Sequence, residues 1–362
     1  MKRASIYLFT IAAALLLMGQ GCLQIPTGEE EIVTTGPAGM FVSTDKGENW
    51  QAISALPEAD GVKSLAGVSV YRLDDDPQDP KAIYWGSRGS GLLFSYDDGR
   101  TWRRAAVPLN TGFIYSVAVH PKDKCTLFAT TGLFVYKTDD CARSWQEVHR
   151  EDRADARVDS IFIDSFGDHT VFLTKANGEL LSSSDGGSSW TVVQRFGTAI
   201  GLLEADAVRQ NTLYLATRKK GLYRSDDGGK TWVNLFEQLR VYPGATEYRR
   251  LFVHPTKEGV LYWISTYGIL KSTDRGDSWR PYTLITSPGS ADIFGFDINR
   301  NNDKEMYYTA MVGGRSTFYK TEDDGKTWST KRLPSGQIPA VLRVHPVNAN
   351  IIYVGFAIPP QQ

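Results

Sequence analysis

The sequence has little of what marks metalloenzymes, nucleic-acid-binding proteins or membrane-spanning proteins. Its 362 residues include only three cysteines and five histidines, and 40 basic residues nearly balance 41 acidic ones. The formal net charge of −1 gives no general attraction to nucleic acid or anionic lipid, so any charged surface must be local. The long apolar run at residues 6–18 is too short for a comfortable membrane span. Helix-periodic stretches are also scarce.

Glycines and aromatic residues are abundant instead. The sequence contains 34 glycines, and 12% of its residues are aromatic. This composition favours an all-β protein with many turns. The hydrophobic fraction of 41% is enough for a sizeable core.

One motif recurs along the chain and is called the box here. Residues 225–232 fit the pattern Ser/Thr-x-Asp-x-Gly-x-Ser/Thr-Trp, and β-prone runs flank them, which predicts a hairpin connection. Asp227 can accept hydrogen bonds from turn N–H groups, Gly229 can adopt positive φ, and Trp232 can pack between neighbouring units. Similar boxes end at tryptophans 42 to 52 residues apart: Trp50, Trp102, Trp145, Trp190, Trp232, Trp279 and Trp328. A period of that size indicates a repeated supersecondary unit.

The box aspartates are therefore assigned a structural role. General acids or metal ligands would require seven sites, each with a turn glycine at its centre. The residues concerned are Asp45, Asp97, Asp140, Asp185, Asp227, Asp274 and Asp323.

Each unit offers four β-prone runs, seen best at 116–120, 126–130, 133–138 and 145–148. The N-terminal part supplies a box without first strands, and the C-terminal part supplies first strands without a box. We therefore expect seven four-stranded antiparallel blades in a β-propeller, closed by a blade that both ends share. Residues 32–35 and 351–356 compete for one strand position, and the sequence leaves that choice open.

The boxes resemble the Asp-box, or BNR, repeats of β-propellers over roughly residues 32–356. The sequences of residues 116–121, 126–131 and 221–232 are similar to sortilin-like and xyloglucanase-like repeats. The length and the N-terminus of the chain resemble those of photosystem II assembly factors instead. The resemblance implies the fold strongly and the function weakly, because sialidases, xyloglucan hydrolases, receptors and assembly factors share these repeats. A sialidase would need an early Arg-Ile-Pro type motif, which is absent. Xyloglucanase-like enzymes place their carboxylates between two propellers, and this chain has one.

The N-terminus has the pattern of an export signal. Lys2 and Arg3 precede the apolar run, and residues 18–22 resemble a bacterial lipoprotein box in which Cys22 would be acylated. Gly19 stands where that family usually has Leu, so cleavage after Gly21 without lipidation is the alternative. We expect residues 1–21 to be a signal peptide of the lipoprotein type, 22–31 a tether and 32–362 the propeller. The predicted location is the bacterial cell envelope, with the protein anchored to a membrane, in the periplasm or at the cell surface.

The other two cysteines, Cys125 and Cys141, lie in one repeat. Their sequence midpoint falls at a turn near residue 133, which places them opposite each other across an antiparallel hairpin. Export to an oxidising compartment would preserve a disulfide between them. Two buried free thiols are the alternative.

Sorting the loops by face predicts a basic surface. Strands alternate in direction, so the second-to-third loops share one face with the connection at residues 234–249. A partner-binding surface is the hypothesis, and ordinary solvated basic residues are the alternative. The tentative binding residues are Arg88, Lys175, Arg218, Lys219, Lys220, Arg240, Tyr242, Tyr248, Arg249 and Arg315.

Other candidate sites have simpler interpretations. The acidic run at residues 74–79 is predicted to be a solvated polar turn rather than a calcium site. His120, His254 and His345 each end a strand before a proline, with no further histidine to complete a metal set. We expect no cofactor, metal, catalytic residue or nucleic-acid partner. The leading hypothesis is an exported, non-enzymatic propeller that binds a protein or assists complex assembly; the alternative is a carbohydrate-binding protein or a glycoside hydrolase of the Asp-box type.

Overall fold

A computed structural model describes residues 35–167 and 169–359. Within them, seven four-stranded antiparallel sheets are arranged as the blades of a propeller, and one two-stranded sheet lies outside the blades. The predicted fold class and blade number are confirmed. Blades are numbered here in chain order, and blade 7 is the one that joins the two ends.

The first three blades follow one another along the chain, each from its innermost strand outward. Blade 1 consists of Val70–Asp75, Ile83–Ser87, Leu92–Ser95 and Arg103–Arg104. Blade 2 consists of Ser116–His120, Asp123–Thr130, Phe134–Thr138 and Gln146–Arg150. Blade 3 consists of Val158–Ile163, Val171–Lys175, Glu179–Ser183 and Thr191–Arg195.

The next three blades repeat the same order. Blade 4 consists of Ile200–Ala205, Leu213–Thr217, Leu222–Ser225 and Val233–Asn234. Blade 5 consists of Tyr248–Val253, Leu261–Ser265, Gly268–Ser272 and Arg280–Pro281. Blade 6 consists of Asp292–Asn299, Asn302–Val312, Arg315–Thr321 and Ser329–Arg332.

Blade 7 closes the ring with strands from both ends. Its inner strands are Ile338–Val344 and Ile352–Ala357, and its outer strands are Gly39–Ser43 and Gln51–Ala52. Met40 lies opposite Gly355 in the antiparallel ladder that joins the two ends. The contested strand position is thus held by Ile352–Ala357. Residues 32–34, which competed for it, lie outside the described residues.

Short elements decorate the connections between blades. A hairpin of Ala55–Glu58 and Gly61–Ser64 lies between blades 7 and 1. A 3-10 turn spans Ala154–Ala156, and an α-helix spans Phe236–Arg240 before blade 5. No helix in the described part of the chain has the length and hydropathy needed to cross a membrane.

Each box forms a turn that its aspartate holds from both sides. In blade 4, the Ser225 hydroxyl donates to Asp227 over 2.8 Å and accepts from the Gly229 N–H over 2.8 Å. The Thr231 N–H and hydroxyl donate to the two oxygens of the same carboxylate over 2.9 and 2.6 Å. The turn glycine has a φ of +93°, which an L side chain rarely adopts. This geometry explains the residue types of the box.

Two boxes depart from the pattern and keep the same geometry. Asn49 replaces the usual hydroxyl residue, and its N–H and side-chain amide donate to Asp45 over 2.8 and 2.7 Å. Ala142 replaces the turn glycine at a φ of +65°, and its N–H still donates to Thr138 over 3.2 Å.

The box tryptophans pack towards neighbouring blades, but they are not equally buried. Trp102 is fully buried, and its Nε1 donates to the carbonyl of Ile53 over 2.8 Å. Trp279 is also buried, whereas Trp232 is half-buried and its Nε1 donates to Gly229 of its own box over 2.9 Å. The closing junction between blades 7 and 1 therefore depends most on a box tryptophan.

A disulfide joins Cys125 to Cys141, but the predicted register of the hairpin is wrong by one residue. Leu127 pairs with Thr138, so the ladder continued outward would place Cys125 opposite residue 140. Cys141 lies beyond the end of its strand, in the box turn, with a φ of +60°. The turn brings it to Cys125, whose carbonyl accepts the Cys141 N–H over 3.1 Å.

Candidate functional site: the loop face and the channel mouth

The propeller has two chemically different faces. The boxes lie on one, which we call the box face. The second-to-third loops and the connections between blades lie on the other, which we call the loop face. Each innermost strand runs from the loop face to the box face, so its first residues surround the loop-face mouth of the central channel.

Five of the predicted basic residues lie exposed at the second-to-third connections of the loop face, where Arg315 is the first residue of its strand. None has a carboxylate oxygen of the described residues within 4.0 Å of its charged nitrogens. The Lys220 ammonium donates to the carbonyl of Phe196 over 2.9 Å. These five residues are Arg88, Arg218, Lys219, Lys220 and Arg315.

The prediction of a free basic side chain is wrong for Lys175. It is 5% exposed, and its ammonium contacts Glu151 at 2.6 Å and Glu179 at 3.5 Å. Lysine at a loop position suggested a free cation, but Glu151 reaches it from the connection that follows blade 2. The ion pair removes Lys175 from any basic surface.

Four other predicted residues have structural contacts. Arg240 pairs with Glu237 at 2.5 Å, and Arg249 pairs with Asp292 at 3.0 Å, so neither is a free cation. The Tyr242 hydroxyl donates to the carbonyl of Trp279 over 2.5 Å. Tyr248 packs against Trp263 with ring centroids 5.2 Å apart.

An aromatic cluster that was not predicted from the sequence lies at the mouth. Tyr71, Phe113 and Tyr115 are half-buried, with ring centroids 4.1 to 6.0 Å apart. The Arg88 guanidinium lies 5.9 Å from the Tyr71 ring centroid, and that of Arg157 lies 5.4 Å from the Tyr115 centroid. We call these five residues the mouth patch. Tyr71 and Tyr115 lie at the starts of innermost strands, and that position in the sequence could have identified them as residues of the mouth.

Main-chain hydrogen bonds hold the mouth patch in place. The connection that carries Phe113 docks on the second-to-third loop of blade 1, where Gly91 donates to Gly112 over 3.0 Å and Gly112 donates to Gly89 over 3.0 Å. At Gly132, a Cβ atom would lie 3.0 Å from the Tyr115 ring. A patch fixed in this way loses little conformational entropy when it binds a partner.

Arg218 brings the charge of blade 4 to the same mouth. Its positive charge acts on the pKa of Tyr71 in blade 1, Asp159 in blade 3 and Tyr248 in blade 5. Arg218 therefore contributes to the electrostatic environment of residues in three other blades. The ring therefore gathers basic residues that are far apart in the sequence.

Charged side chains also line the channel itself. A cavity of about 400 Å³ is lined by Arg72, Asp74, Glu204 and Arg343, together with further charged and apolar residues such as Arg300 and Val117. Arg72 donates to Asp74 over 3.2 Å, and burial raises the pKa of Asp74 and of Glu204. Burial lowers the pKa of Arg343, but Asp75 and three further carboxylates outweigh that effect and raise it.

The acidic run was misassigned as a turn. Asp74 and Asp75 belong to the innermost strand of blade 1, and the turn begins at Asp76. Asp75 lies 3.5 Å from Arg300 and 3.7 Å from Arg343, which blades 6 and 7 bring across the channel. Within the described residues, no group of three or more His, Cys, Asp or Glu side chains could hold a metal ion.

The histidines before prolines stabilise turns. In His120, His254 and His345, Nδ1 accepts the main-chain N–H two residues later, over 3.2 Å in each case. His254 is fully buried, and burial lowers its pKa to about 4.

Comparisons with known proteins agree with the fold. A family model described as the DUF6242 beta propeller domain matches residues 98–244. A xyloglucanase from a Paenibacillus species is 27% identical over 275 residues, covering 66% of this chain and 23% of that protein. An oligoxyloglucan-reducing end-specific xyloglucanase from Emericella nidulans is 30% identical over 114 residues, covering 30% of this chain and 14% of that protein. The chain thus spans less than a quarter of these relatives.

Solved structures extend the likeness. The GH74 xyloglucanase from Xanthomonas campestris superposes with a TM-score of 0.62 at 15% identity, covering 80% of this chain and 51% of that one. YCF48 bound to a D1 peptide superposes with a TM-score of 0.57 at 14% identity, covering 80% of this chain and 94% of that one. The comparisons show a seven-bladed propeller similar in fold to GH74 xyloglucanases and to YCF48.

Proposed function

We propose that this protein is a non-enzymatic propeller that binds an acidic segment of another protein through the loop face. The observation that carries the proposal is the mouth patch, together with the exposed cations Arg218, Lys219 and Lys220 on the same face. Tyrosine and arginine are enriched among the residues that dominate binding energy at protein interfaces. Arginine presents a planar fork that suits carboxylates. The likeness to YCF48, solved with a bound peptide, supports the same idea.

We further propose that the boxes are structural Asp-box repeats and that the chain is exported and anchored through acylated Cys22. Residues 1–21 would then be the signal, 22–31 the tether and 32–362 the propeller. Labelled palmitate would be incorporated into the wild-type chain in a bacterial host and not into Cys22→Ser. Equal labelling of both chains, or of neither, would refute the anchor.

A capture experiment tests the partner-binding proposal. The complete chain is immobilised and exposed to solubilised envelope proteins of the source organism, at low and at high salt. A triple variant with Arg218, Lys219 and Lys220 changed to Ser should lose the captured partner, because local cations steer and hold an acidic surface.

The matched control removes the same charge from the other face. It changes the exposed residues Lys122, Lys124 and Lys304 to Ser. This triple variant should capture the partner as the wild type does. Equal capture by both triple variants would refute the loop-face interface.

Glycoside hydrolysis is the second candidate, because both named curated relatives are xyloglucanases. Glu204 is the channel carboxylate with a raised pKa and no hydrogen bond to another described residue. We expect the wild-type chain to release no sugar from xyloglucan oligosaccharides. Turnover that Glu204→Gln abolishes would replace the binding proposal with the enzymatic one.

A further inference from the structure

Arg250 carries a positive charge that the protein's own carboxylates do not neutralise. Its Nε donates to the carbonyl of Phe294 over 2.9 Å, and its Nη2 donates to the carbonyl of Ala340 over 3.2 Å. These carbonyls belong to the innermost strands of blades 6 and 7, so the guanidinium is fixed across three blades. Among the described residues, no carboxylate oxygen lies within 4.0 Å of it.

The surrounding charges leave this cation poorly compensated. Burial lowers the pKa of Arg250, and the positive charges of Arg343 and Arg72 lower it further. Asp297 acts in the opposite direction, but one of its oxygens accepts the N–H of Ile298 and the other that of Val344, each over 2.8 Å. An uncompensated cation in a desolvated place is costly, and an anion beside it would remove that cost.

The free end of the guanidinium is available to a ligand. The hydrogen bonds of Arg250 use Nε and Nη2, and Nη1 has no partner among the described residues. The residue is half-buried, so part of it remains in contact with solvent.

The position of Arg250 places it just below the loop-face mouth. Arg250 pairs with Ile264 in blade 5, and Arg72 pairs with Gly86 in blade 1. In both innermost strands the arginine is the first paired residue after a shift in the strand register. Arg72 and Arg250 therefore occupy the same level of the channel.

We propose that the channel below the mouth binds a carboxylate group, held by Arg250 at the level of Arg72. The occupant is an aspartate or glutamate side chain of the acidic segment that the loop face binds, so this inference rests on the proposed function and deepens it. A guanidinium with a free Nη1 can donate charge-assisted hydrogen bonds to such a group. A free small dicarboxylate has the same chemistry, and the experiment separates the two sources.

The test uses three probes on the complete chain, measured by isothermal titration calorimetry at low salt. They are a capped hexaglutamate peptide, a matched hexaglutamine peptide and glutarate. The wild type should bind hexaglutamate and not hexaglutamine, and glutarate should bind more weakly and compete. Arg250→Gln should lower the affinity for both carboxylate probes about tenfold, and Arg250→Lys should have an intermediate effect.

Arg315→Gln is the matched control, because Arg315 is exposed on the same face and has no carboxylate partner among the described residues. It should weaken hexaglutamate binding less than about threefold and leave glutarate binding unchanged. If Arg250→Gln fails to fold, the double variant Arg72→Gln/Asp74→Asn removes the neighbouring cation without leaving its carboxylate unpaired. This double variant should lower both affinities about fivefold.

The outcomes separate the channel site from the interface. Hexaglutamate binding that is unchanged in Arg250→Gln and Arg250→Lys would overturn the channel site and leave the loop-face interface standing. Glutarate binding as tight as hexaglutamate binding would assign the site to a free dicarboxylate and overturn the side-chain occupant. If the wild type binds neither carboxylate probe, the channel site is wrong, and the capture experiment decides the interface by itself.

Discussion

Replacing Trp102 with Ala should weaken the propeller more than replacing any half-buried box tryptophan. Trp102 has no exposed surface, lies edge-to-face with Trp85 at 5.1 Å, and donates from Nε1 to the carbonyl of Ile53 over 2.8 Å. The main-chain N–H of Trp102 donates to the carbonyl of Ala55 over 2.9 Å, in the segment that links blade 7 to blade 1. We expect a loss of roughly 3 to 5 kcal/mol in the free energy of unfolding, as for other large-to-small aromatic core changes.

Trp232→Ala is the matched comparison. Its side chain is half-buried, its Nε1 bonds within its own box, and its nearest ring neighbour is Phe196 at 5.5 Å. Less apolar surface returns to water, so the expected loss is about 1 to 2 kcal/mol. Trp102→Phe keeps a ring against Trp85 and leaves the Ile53 carbonyl without its donor, which should cost about 1 to 3 kcal/mol.

The measurement is urea denaturation followed by far-ultraviolet circular dichroism, because tryptophan fluorescence changes with the substitutions themselves. The free energies of unfolding are comparable where their dependence on urea concentration has the same slope in each variant. Equal losses for Trp102→Ala and Trp232→Ala would refute the argument that burial and the Ile53 bond set the importance of a box tryptophan. A shallower slope in Trp102→Ala would indicate that the ring opens at blade 7 before the rest unfolds.

Three further changes test separate parts of the structure. Reducing the Cys125–Cys141 bridge should cost at most about 3 kcal/mol, seen as a lower urea midpoint with reductant that a Cys125→Ala/Cys141→Ala variant does not show. Burial lowers the pKa of His254 to about 4, so the folded state binds fewer protons than the unfolded state between pH 4 and pH 6.5. The contribution of neutral His254 to the free energy of unfolding is therefore complete above pH 6.5 and is lost towards pH 4. That contribution is at most about 3 kcal/mol, and His254→Asn should flatten the pH dependence in this window. Gly325→Ala should destabilise blade 6 by about 2 kcal/mol or more in a thermal melt, because φ is +77° and a Cβ atom would lie 2.4 Å from Tyr282; a melt like that of the wild type would contradict this.

The box aspartates predict a second acid transition. Hydrogen bonds from Thr231 are the main cause that lowers the pKa of Asp227 to about 2. Hydrogen bonds also lower the pKa of Asp323 to about 2. A carboxylate with a lowered pKa stabilises the fold above its unfolded pKa near 4, and that contribution is lost as pH falls towards 2. Urea midpoints should therefore fall between pH 4 and 2 in the wild type and fall less in Asp227→Asn.

The blade architecture could be predicted from sequence because its determinants are local. A hydroxyl, an aspartate, a glycine and a second hydroxyl close a turn within eight residues, as in Ser225 to Trp232. Counting such turns gives the number of blades, and the missing strands at the two ends give the closure. None of this requires knowledge of long-range contacts.

The channel could not be predicted in this way, because the counter-ions of Asp75 come from other blades. Asp74 and Asp75 among prolines resemble a solvated turn, but Arg300 and Arg343 face Asp75 across the ring. Lys175 seemed free for the same reason, since its partner Glu151 belongs to the preceding connection. Side chains that meet only after ring closure leave no local pattern.

The cysteine register shows a different limit. A midpoint count assumes that both residues belong to a regular ladder, where a shift of one residue reverses the side chains. Cys141 lies outside the ladder with a φ of +60°, so the ladder register does not set its direction. The pairing followed from having two cysteines in one repeat, whereas the geometry depended on a left-handed turn.

The near-neutral charge of the chain is compatible with an electrostatic interface because screening limits the range of each charge. At physiological salt the Debye length is about 8 Å, so a partner approaching the mouth responds to Arg88 and Arg218 and hardly to charges on the box face. Lys175, Arg240 and Arg249 add little, since carboxylates neutralise them. Under the proposed function, selectivity therefore comes from the cations of the loop face that have no carboxylate partner among the described residues, such as Arg88 and Arg218.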